Sequence, residues 1–508
     1  MFSKVFSYGL MGLKGLRIDV EVDINAGLPS YDIVGLPDTA VKESKERVRS
    51  AIKNSGFKFP TNKVTVNLAP ANVKKAGPNF DLPIALAIMV SSGQLKEVNY
   101  KEYVVIGELG LDGKLKSVNG ILPALISARS EGYKNFIIPK ANAKEASFID
   151  GINVFALDNF ADVIAMLSNT MQFDMVEKNV WNGEASDKIT EDFSRVKGQK
   201  IAKRVMEIAV SGGHNILMVG PPGAGKTMIA RCIPSIMPDL TFEEALEIAK
   251  IHSIAGELDL NKGVIQSRPF RSPHHTASTV ALTGGGKDAK PGEVSLASNG
   301  VLFLDELPEY SRTTLETLRQ PLEDGVITVS RASGTYEYPA NFMLVASMNP
   351  CPCGNYGSTT AVCTCSPSAI QRYLKRLSGP LLDRIDLKID VERVAFNEMT
   401  NKTDEESSLD IKKRVDEARK IQIERFKGTS IHTNSKMTSK MINTYCKLDE
   451  ESESLMKLAF EKYHISARGY TRILKVARTI ADLDKSEDIK TNHIAEALAY
   501  RNIDKFQL

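Results

Sequence analysis

The octapeptide Gly220–Thr227, GPPGAGKT, constrains the fold of this chain more than any other segment. It satisfies the pattern G-x-x-x-x-G-K-T, follows the apolar run Ile216–Val219, and precedes residues that can form a helix. Glycines allow consecutive backbone N–H groups to turn toward one anion, and the start of the following helix adds partial positive charge. The sequence therefore predicts a strand, a phosphate-binding loop and a helix in an α/β sheet. The alternative is a Gly-rich turn that binds nothing.

Every residue of this loop is a candidate nucleotide contact, namely Gly220, Pro221, Pro222, Gly223, Ala224, Gly225, Lys226 and Thr227. Lys226 has the length to reach β- and γ-phosphates, and the Thr227 hydroxyl is a candidate Mg²⁺ ligand. The apolar run Val301–Leu304 then ends in two carboxylates, at the strand end where ligands bind in open α/β sheets. We expect Asp305 to hold Mg²⁺ and Glu306 to polarise the attacking water. A strand followed by a solvated acidic turn is the alternative.

Three further polar residues fit the chemistry of phosphoryl transfer. Asn349 follows a second buried-strand pattern, Phe342–Met348, and is a candidate for placing the water, although an Asn can also cap a strand end. Arg384 lies in the run Leu381–Asp386, LLDRID, and is a candidate arginine finger for the γ-phosphate of a neighbouring subunit. A surface salt bridge of little energetic value is the alternative. Arg468 precedes a predicted helix and is expected to reach the phosphates of its own chain.

Four of the six cysteines form a close cluster, Cys351, Cys353, Cys363 and Cys365. Two C-x-C pairs across a short loop can supply four thiolates to one tetrahedral Zn²⁺, so we predict a structural zinc site. Four reduced thiols are the alternative, since so few cysteines do not make a disulfide framework in a chain this long. We expect the neighbouring His274 and His275 to lie in a loop or at a subunit interface rather than on a metal.

The composition describes an ordinary globular protein of 508 residues, with 42% hydrophobic and 25% charged residues. The formal net charge of +3 neither requires nor excludes nucleic acid, so any basic surface must be local. No run is long enough to span a bilayer, and the first residues do not make a secretory signal. With its cysteine usage, this predicts a cytoplasmic protein without a membrane partner.

The patterns along the chain predict a multidomain protein of the α/β and α+β classes. Alternation in Leu16–Ile24 predicts a half-buried strand, Lys63–Leu68 a second strand, and Leu82–Val90 a helix. The predicted division is a first domain at 1–167, a polar linker at 168–195, a nucleotide-binding core at 196–391 and a helical domain at 392–508.

The motifs, in this order, resemble an AAA+ ATPase and, more narrowly, its magnesium-chelatase-like branch. The narrower resemblance rests on Phe270–Ser278 (FRSPHHTAS), Gly284–Gly286, Pro291–Tyr310, Ser347–Gly354 (SMNPCPCG) and Ser378–Leu387 (SGPLLDRIDL). Together these segments resemble the bacterial ComM/YifB family over essentially the whole chain. The resemblance implies a P-loop core with a helical lid, ATP and Mg²⁺ as cofactors, and a homo-oligomeric ring, a hexamer. It also implies a DNA partner, single-stranded or branched, with branch migration in natural transformation or recombination as the function.

The resemblance also assigns roles to residues of this sequence. Lys226 and Thr227 match Walker A, Asp305 and Glu306 Walker B, Asn349 sensor 1, Arg384 the arginine finger, Arg468 sensor 2, and Gln199 the adenine-side box. Phe270–Pro291 matches an insertion in helix 2. Thr328–Tyr338 matches a hairpin before sensor 1, and its β-branched and aromatic residues around Ala332–Gly334 favour a hairpin independently.

In related rings the insertion and the hairpin face the pore. Arg331, Lys287 and Lys290 are therefore candidates for contacts with a DNA phosphate backbone, which would be salt-sensitive and independent of sequence. A solvated hairpin and loop are the alternative.

Lys75–Asn79 and Gly107–Gly120 resemble the catalytic region of Lon-type proteases, which implies a Lon-like (ribosomal S5 domain 2-like) first domain. The nucleophile and lysine positions are occupied by Asn79 and Leu122, which cannot form or activate an acyl-enzyme, so we expect no proteolysis. Beside the DNA motor, three functions remain open. They are a magnesium-chelatase-type motor with partner subunits, an ATP-regulated peptidase, and a nucleotide-gated scaffold acting on a protein partner.

Overall fold

The structure is a computed structural model that describes residues 1–95, 99–181, 183, 191–286, 289–331, 334–358, 361–400 and 405–501. It has a mixed α/β architecture with two large sheets and a C-terminal set of helices. Among the described residues, no helix combines the length and the apolar character needed to cross a membrane.

The first part of the chain folds around a mixed seven-stranded sheet. Its elements are β1 (Phe2–Met11), β2 (Lys14–Asn25), β3 (Ser30–Val34), α1 (Thr39–Asn54), β4 (Lys63–Ala69), α2 (Asp81–Ser91), β5 (Tyr103–Val105), β6 (Glu108–Leu109), β7 (Leu115–Lys116), α3 (Ile121–Ser130), β8 (Asn135–Pro139), α4 (Ala143–Ala146), β9 (Asn153–Leu157) and α5 (Phe160–Leu167). The strand order is β3-β4-β2-β1-β5-β8-β9, and β6 pairs separately with β7. The pairs β1–β2 and β2–β4 are antiparallel, and the other neighbours in the sheet are parallel.

The three elements predicted in this part are confirmed. In β2 the alternating residues Ile18, Val20 and Val22 are buried, as the pattern at Leu16–Ile24 requires. The second predicted strand is β4, and the predicted helix is α2, one residue longer at each end. Every residue of α2 is buried because this helix packs against β1, β2 and α1, which explains why it is apolar on all sides.

The nucleotide-binding part of the chain contains a wholly parallel five-stranded sheet. Its elements are α6 (Lys200–Gly212), β10 (Ile216–Val219), α7 (Lys226–Cys232), α8 (Phe242–Ala255), β11 (Phe270–Arg271), α9 (Thr279–Thr283), α10 (Glu293–Leu296), β12 (Val301–Leu304), α11 (Arg312–Glu316), α12 (Arg319–Asp324), β13 (Val326–Arg331), β14 (Gly334–Pro339), β15 (Met343–Met348), α13 (Pro367–Leu374), α14 (Gly379–Leu382) and β16 (Leu387–Asp390). The sheet order is β11-β12-β15-β10-β16. Because β10, β12 and β15 are parallel neighbours, the loop and side chains that follow them meet at one edge of the sheet.

The hairpin predicted at Thr328–Tyr338 is confirmed as the antiparallel pair β13–β14. Ala332 and Ser333 at its turn lie outside the described residues, and so does Lys287 of the insertion. The hairpin packs on the insertion, since Tyr338 Oη donates to the carbonyl oxygen of Ala289 at 2.7 Å. The insertion and the hairpin, which the resemblance gave as separate elements, are therefore in direct contact in the fold.

The C-terminal part of the described chain is helical. It comprises α15 (Phe396–Thr400), α16 (Ser408–Arg425), α17 (Ser439–Tyr445), α18 (Glu450–Lys462), α19 (Ala467–Leu483) and α20 (Thr491–Ala499). Their apolar faces share a core with α6 and one face of the parallel sheet, where Ile411, Val415 and Ile480 are fully buried. The helices are thus packed behind the nucleotide-binding loop.

The first sheet and the nucleotide-binding part meet through α3, α4 and α8. Leu122 and Leu125 of α3 lie in one apolar cluster with Ile248 of α8. The Ser253 hydroxyl at the end of α8 donates to the buried carboxylate of Glu145 in α4 at 3.0 Å. These contacts fix the two parts of the chain to each other through both apolar and polar groups.

The segment predicted as a linker makes contacts with both parts in its described residues. The Val176 N–H donates to the Val154 carbonyl in β9 at 2.8 Å, and the ring of Trp181 lies 6.1 Å from that of Phe242. Phe193 is fully buried in the core of the nucleotide-binding part. The positions at which the domains divide stay predictions.

Candidate active site

A cavity of about 410 Å³ opens at the edge of the parallel sheet. Its lining residues come from the phosphate-binding loop and from the ends of β12 and β15, and they are 222–228, Asp305, Glu306 and 347–349. Gly225 caps α7 with φ of +88°, a conformation that favours glycine. Gly220 is required for a different reason, because a Cβ there would lie 2.1 Å from the Val391 carbonyl oxygen.

Lys226 connects the loop with the end of β15. Its Nζ donates to the carbonyl oxygens of Gly220 and Pro221 at 2.7 and 3.0 Å, and to Asn349 Oδ1 at 3.2 Å. Burial lowers the pKa of the ammonium group, while the carboxylates of Asp305 and Glu306 oppose this effect. The residues predicted as Walker A and sensor 1 are therefore in direct contact.

Asp305 is the centre of a second group of contacts in the cavity. It accepts hydrogen bonds from the Thr227 hydroxyl at 3.0 Å, from the Ser347 hydroxyl, and from the Glu306 N–H at 3.0 Å. A hydroxyl and a carboxylate side by side are the oxygen donors that Mg²⁺ prefers, so Thr227 and Asp305 fit the predicted ion. Sequence reasoning missed Ser347, although a hydroxyl in an otherwise apolar strand, two residues before Asn349, was a usable signal.

Glu306 has a left-handed backbone with φ of +51°, and its side chain is 52% exposed. His275 Nδ1 lies 3.3 Å from Glu306 Oε2. The rings of His274 and His275 lie 4.1 Å apart, but the His274 Nδ1 pairs with the Thr276 hydroxyl instead. The contact between His275 and Glu306 was not foreseen from the sequence, which indicated only a loop or subunit-interface role for the histidines.

The two predicted phosphate-sensing arginines lie together, away from the cavity. Arg384 pairs with the Glu323 carboxylate at the end of α12, and Arg468 Nη2 lies 3.8 Å from its other oxygen. The hydrogen bond from Arg384 lowers the pKa of Glu323. The Nε of Arg384 is buried and has no hydrogen-bond partner in the described part of the chain.

No arginine of the described residues lines the cavity. The guanidinium group of Arg468 faces Glu323 beside Arg384, and the expected role of Arg468 at the phosphates of its own chain stays a prediction. Sequence reasoning missed Glu323, since a carboxylate in a polar helix carries no local signal of its partners.

Gln199 lies beside the loop rather than in the cavity. Its Nε2 donates to the Glu392 carbonyl oxygen at 2.6 Å and lies 3.5 Å from that of Ala224. The preceding Gly198 N–H donates to Glu405 at 2.9 Å. The adenine-side box thus lies between the loop and the start of the C-terminal helices, and its role stays a prediction.

The four clustered cysteines bring their sulfurs together, all within 4.8 Å of one another. Cys351, Cys353 and Cys363 have Sγ–Sγ separations of 3.4, 3.6 and 3.7 Å, and Cys365 completes the group. A tetrahedral zinc ion with Zn–S bonds of about 2.3 Å places its sulfurs about 3.8 Å apart, so the four residues fit one ion.

The cysteine loop is also in contact with the phosphate-binding loop. Backbone N–H groups of Asn355 and Thr364 lower the pKa of Cys353 to about 5, whereas burial and the neighbouring sulfurs raise the pKa of Cys363 and Cys365. A Cβ on Gly354 would lie 2.4 Å from the Pro222 side chain. The candidate zinc site therefore lies directly against the loop that lines the cavity.

Three family models match successive parts of the chain. They describe subunit ChlI of magnesium chelatase at residues 20–142 and 192–399, and its C-terminal part at 405–501. The competence protein ComM of Haemophilus influenzae is 43% identical over 500 residues, covering 98% of this chain and 97% of that protein. YifB of Escherichia coli is 44% identical over 504 residues, covering 99% and 97%.

The chain belongs to the magnesium-chelatase-like ComM/YifB family. The resemblance inferred from the motifs is thereby confirmed, and the family relationship indicates an ATPase that uses ATP and Mg²⁺. The likeness to Lon proteases is partial, since Lon protease 2 of Bacillus subtilis is 24% identical over 167 residues, which is 30% of each chain. That Asn79 and Leu122 replace the catalytic pair stays a prediction.

Proposed function

We propose that this protein is a ring-forming ATPase that couples ATP hydrolysis to movement along DNA. One observation carries the ring-forming part of the proposal. The cavity gathers Lys226, Asp305, Glu306 and Asn349, whereas the two arginines that phosphoryl transfer calls for lie outside it. A catalytic site with no arginine of its own can take one from a second subunit. ATP hydrolysis would then require the subunits to assemble.

The chemistry follows from the positions of the side chains. The loop N–H groups and Lys226 bind the triphosphate of ATP, with Asn349 beside the Lys226 ammonium group. Mg²⁺ held by Thr227 and Asp305 would neutralise charge on the β- and γ-phosphate oxygens. Glu306 accepts a hydrogen bond from the water that attacks the γ-phosphorus, and ADP departs as the opposite P–O bond breaks.

An arginine that lies outside the cavity completes the catalytic site of a neighbouring subunit. Arg384 and Arg468 share the Glu323 carboxylate, and Arg472 pairs with Asp386 close by. Such a concentration of guanidinium groups matches the negative charge of a γ-phosphate in transfer. We therefore propose that Arg384 acts in trans, and the family resemblance favours six subunits in the ring.

The proposed DNA contact rests on the hairpin and the insertion. Arg331 donates to the backbone carbonyl of Gly286 at 3.2 Å and to that of Ser330 at 3.1 Å, so no carboxylate neutralises it in these contacts. Lys290 is exposed on the same surface. The name of the Haemophilus relative, a competence protein, favours a role in DNA uptake or recombination in the cytoplasm.

The zinc site is part of the proposal in a structural role. Four thiolates and one zinc ion would hold the cysteine loop against Pro222 and thus support the shape of the phosphate-binding loop.

A second function is favoured by the ChlI matches along the chain. In this alternative, the same ATPase acts as a magnesium-chelatase-type motor or as an ATP-regulated scaffold on a protein partner. ATP turnover at low salt, measured with and without single-stranded and branched DNA, separates the two. Strong stimulation by DNA supports the DNA motor, and turnover that ignores DNA supports the alternative.

A further inference from the structure

The register of two neighbouring strands brings His275 to Glu306. β11 pairs in parallel with β12, with Phe270 opposite Val301. His275 and Glu306 each follow the paired residue by the same number of positions, so the two chains leave the sheet side by side. The short distance from His275 Nδ1 to Glu306 Oε2, 3.3 Å, follows from this register.

The backbone that carries His275 is hydrogen-bonded to the segment that follows Glu306. Tyr310 is 3% exposed, and its hydroxyl donates to the Pro273 carbonyl at 2.6 Å. The Tyr310 ring also lies edge-on to the ring of His275, at 6.5 Å. The segment that follows Glu306 therefore holds the segment that presents His275.

The Glu306 side chain is held by fewer contacts than the side chain of Asp305. Asp305 is fixed by three donors, whereas the Glu306 side chain is 52% exposed and contacts His275 at Oε2. A long, half-exposed side chain populates several rotamers, and few of them direct a carboxylate oxygen at the water. A donor on one oxygen selects a rotamer and leaves the other oxygen free.

We propose that His275 is a positioning residue for Glu306, and this rests on the proposed ATP hydrolysis. The Nδ1 of His275 pairs with Oε2 of Glu306, and Oε1 then accepts the hydrogen bond of the attacking water. His275 does not line the cavity, so we expect its effect on kcat rather than on nucleotide binding.

The test compares steady-state ATP turnover of the full-length protein and three variants. We expect His275→Ala to lower kcat about tenfold with KM for ATP within about twofold, as for a loss of orientation. His275→Asn, whose amide nitrogen can take the place of Nδ1, should recover at least half of the lost rate. His432→Ala is the control and should have the wild-type kcat, because His432 is exposed and does not line the cavity.

Single-turnover rates in a Glu306→Gln background separate positioning from a structural role. We expect His275→Ala to add nothing there, because the carboxylate it orients is gone. The inference is wrong if His275→Ala turns over ATP like His432→Ala, or if it slows Glu306→Gln by the factor it imposes on the wild type. Absence of turnover in the wild type would contradict both this inference and the proposed function, whereas the other two outcomes leave the proposed function intact.

Discussion

Arg384 and Arg468 contact opposite oxygens of one carboxylate, that of Glu323. The first arginine precedes β16 and the second begins α19, so the parallel sheet and the C-terminal helices contribute to the same cluster. This cluster lies outside the cavity of its own chain, and the proposed role of Arg384 is at the cavity of a neighbouring subunit.

The trans arrangement predicts complementation in mixed rings. Arg384→Ala alone should lose at least about a hundredfold in kcat, because an arginine finger contributes that much or more to phosphoryl transfer. Mixing it with equally inactive Glu306→Gln should restore turnover to roughly a quarter of wild type by random assembly, since one interface in four combines an intact arginine with an intact glutamate. ATP turnover across mixing ratios measures this.

The control for mixing is Arg384→Ala with the double variant Arg384→Ala/Glu306→Gln, which supplies no intact arginine. This mixture should stay inactive. If the first mixture also stays inactive although mixed rings form, the arginine acts in cis and the shared site is wrong.

Lys226 and Glu306 should fail at different steps. Lys226→Ala removes the ammonium group beside Asn349 and should weaken or abolish nucleotide binding together with hydrolysis. Glu306→Gln keeps the phosphate contacts and should bind ATP but hydrolyse it about 10²–10⁴-fold more slowly. Binding of a fluorescent ATP analogue and phosphate release distinguish the two. Wild-type turnover in Glu306→Gln would show that this carboxylate does not act on the water.

The cysteine cluster predicts about one zinc ion per chain by elemental analysis. Cys353→Ser should lose the metal and lower the melting temperature, because zinc binding to preformed thiolates contributes to folding stability. Cys446→Ala is the control, since that cysteine is buried in the C-terminal helices and is not one of the four. If the protein holds no zinc when it is expressed with zinc and purified, the zinc prediction is wrong and the four cysteines are free thiols.

The buried Glu145 at the contact between α4 and α8 predicts a pH dependence of stability. Burial raises the pKa of its carboxyl group to about 7, and hydrogen bonds from Asn142 and Ser253 only partly offset this. A raised pKa in the folded state means that the folded protein binds the proton more tightly. The resulting increase in the free energy of unfolding is complete below about pH 4.5, the pKa of this group in the unfolded chain. It is lost as the pH rises through about 7.

Glu145→Gln removes the ionisable group and keeps one acceptor oxygen for Asn142, while the Ser253 hydroxyl can accept from the new amide nitrogen. At pH 8 it should be more stable than the wild type by about 1–3 kcal/mol, and this advantage should shrink toward pH 5. Melting temperatures of both proteins over this range provide the measurement. An advantage that grows on acidification would mean that the carboxyl group is ionised at low cost in the folded state.

Local sequence patterns were sufficient for the loop, the acidic strand and the cysteines. Gly220–Thr227 forms its loop because glycine positions and the flanking apolar strand are encoded within a few residues. The four sulfurs lie on one short loop, so spacing alone brought them together. The parallel sheet is formed by the pairing of these same apolar runs.

Contacts that depend on strand register and on distant helices were not predictable. His275 reaches Glu306 only through the pairing of β11 with β12, and β11 is two residues long. Glu323 meets Arg384 and Arg468 across elements far apart in sequence, and Glu145 meets Ser253 across the contact between two parts of the chain. Charged residues in polar segments are usually solvated, so nothing local distinguishes these partners.

The central claim is that ATP hydrolysis drives movement on DNA, and the most direct measurement is ATP turnover at low salt with single-stranded and branched DNA. The account predicts strong stimulation that falls as salt rises, and that is reduced in Arg331→Ala, because the contact is with the phosphate backbone. Turnover that is the same with and without DNA would contradict it and assign the ATPase to a protein partner.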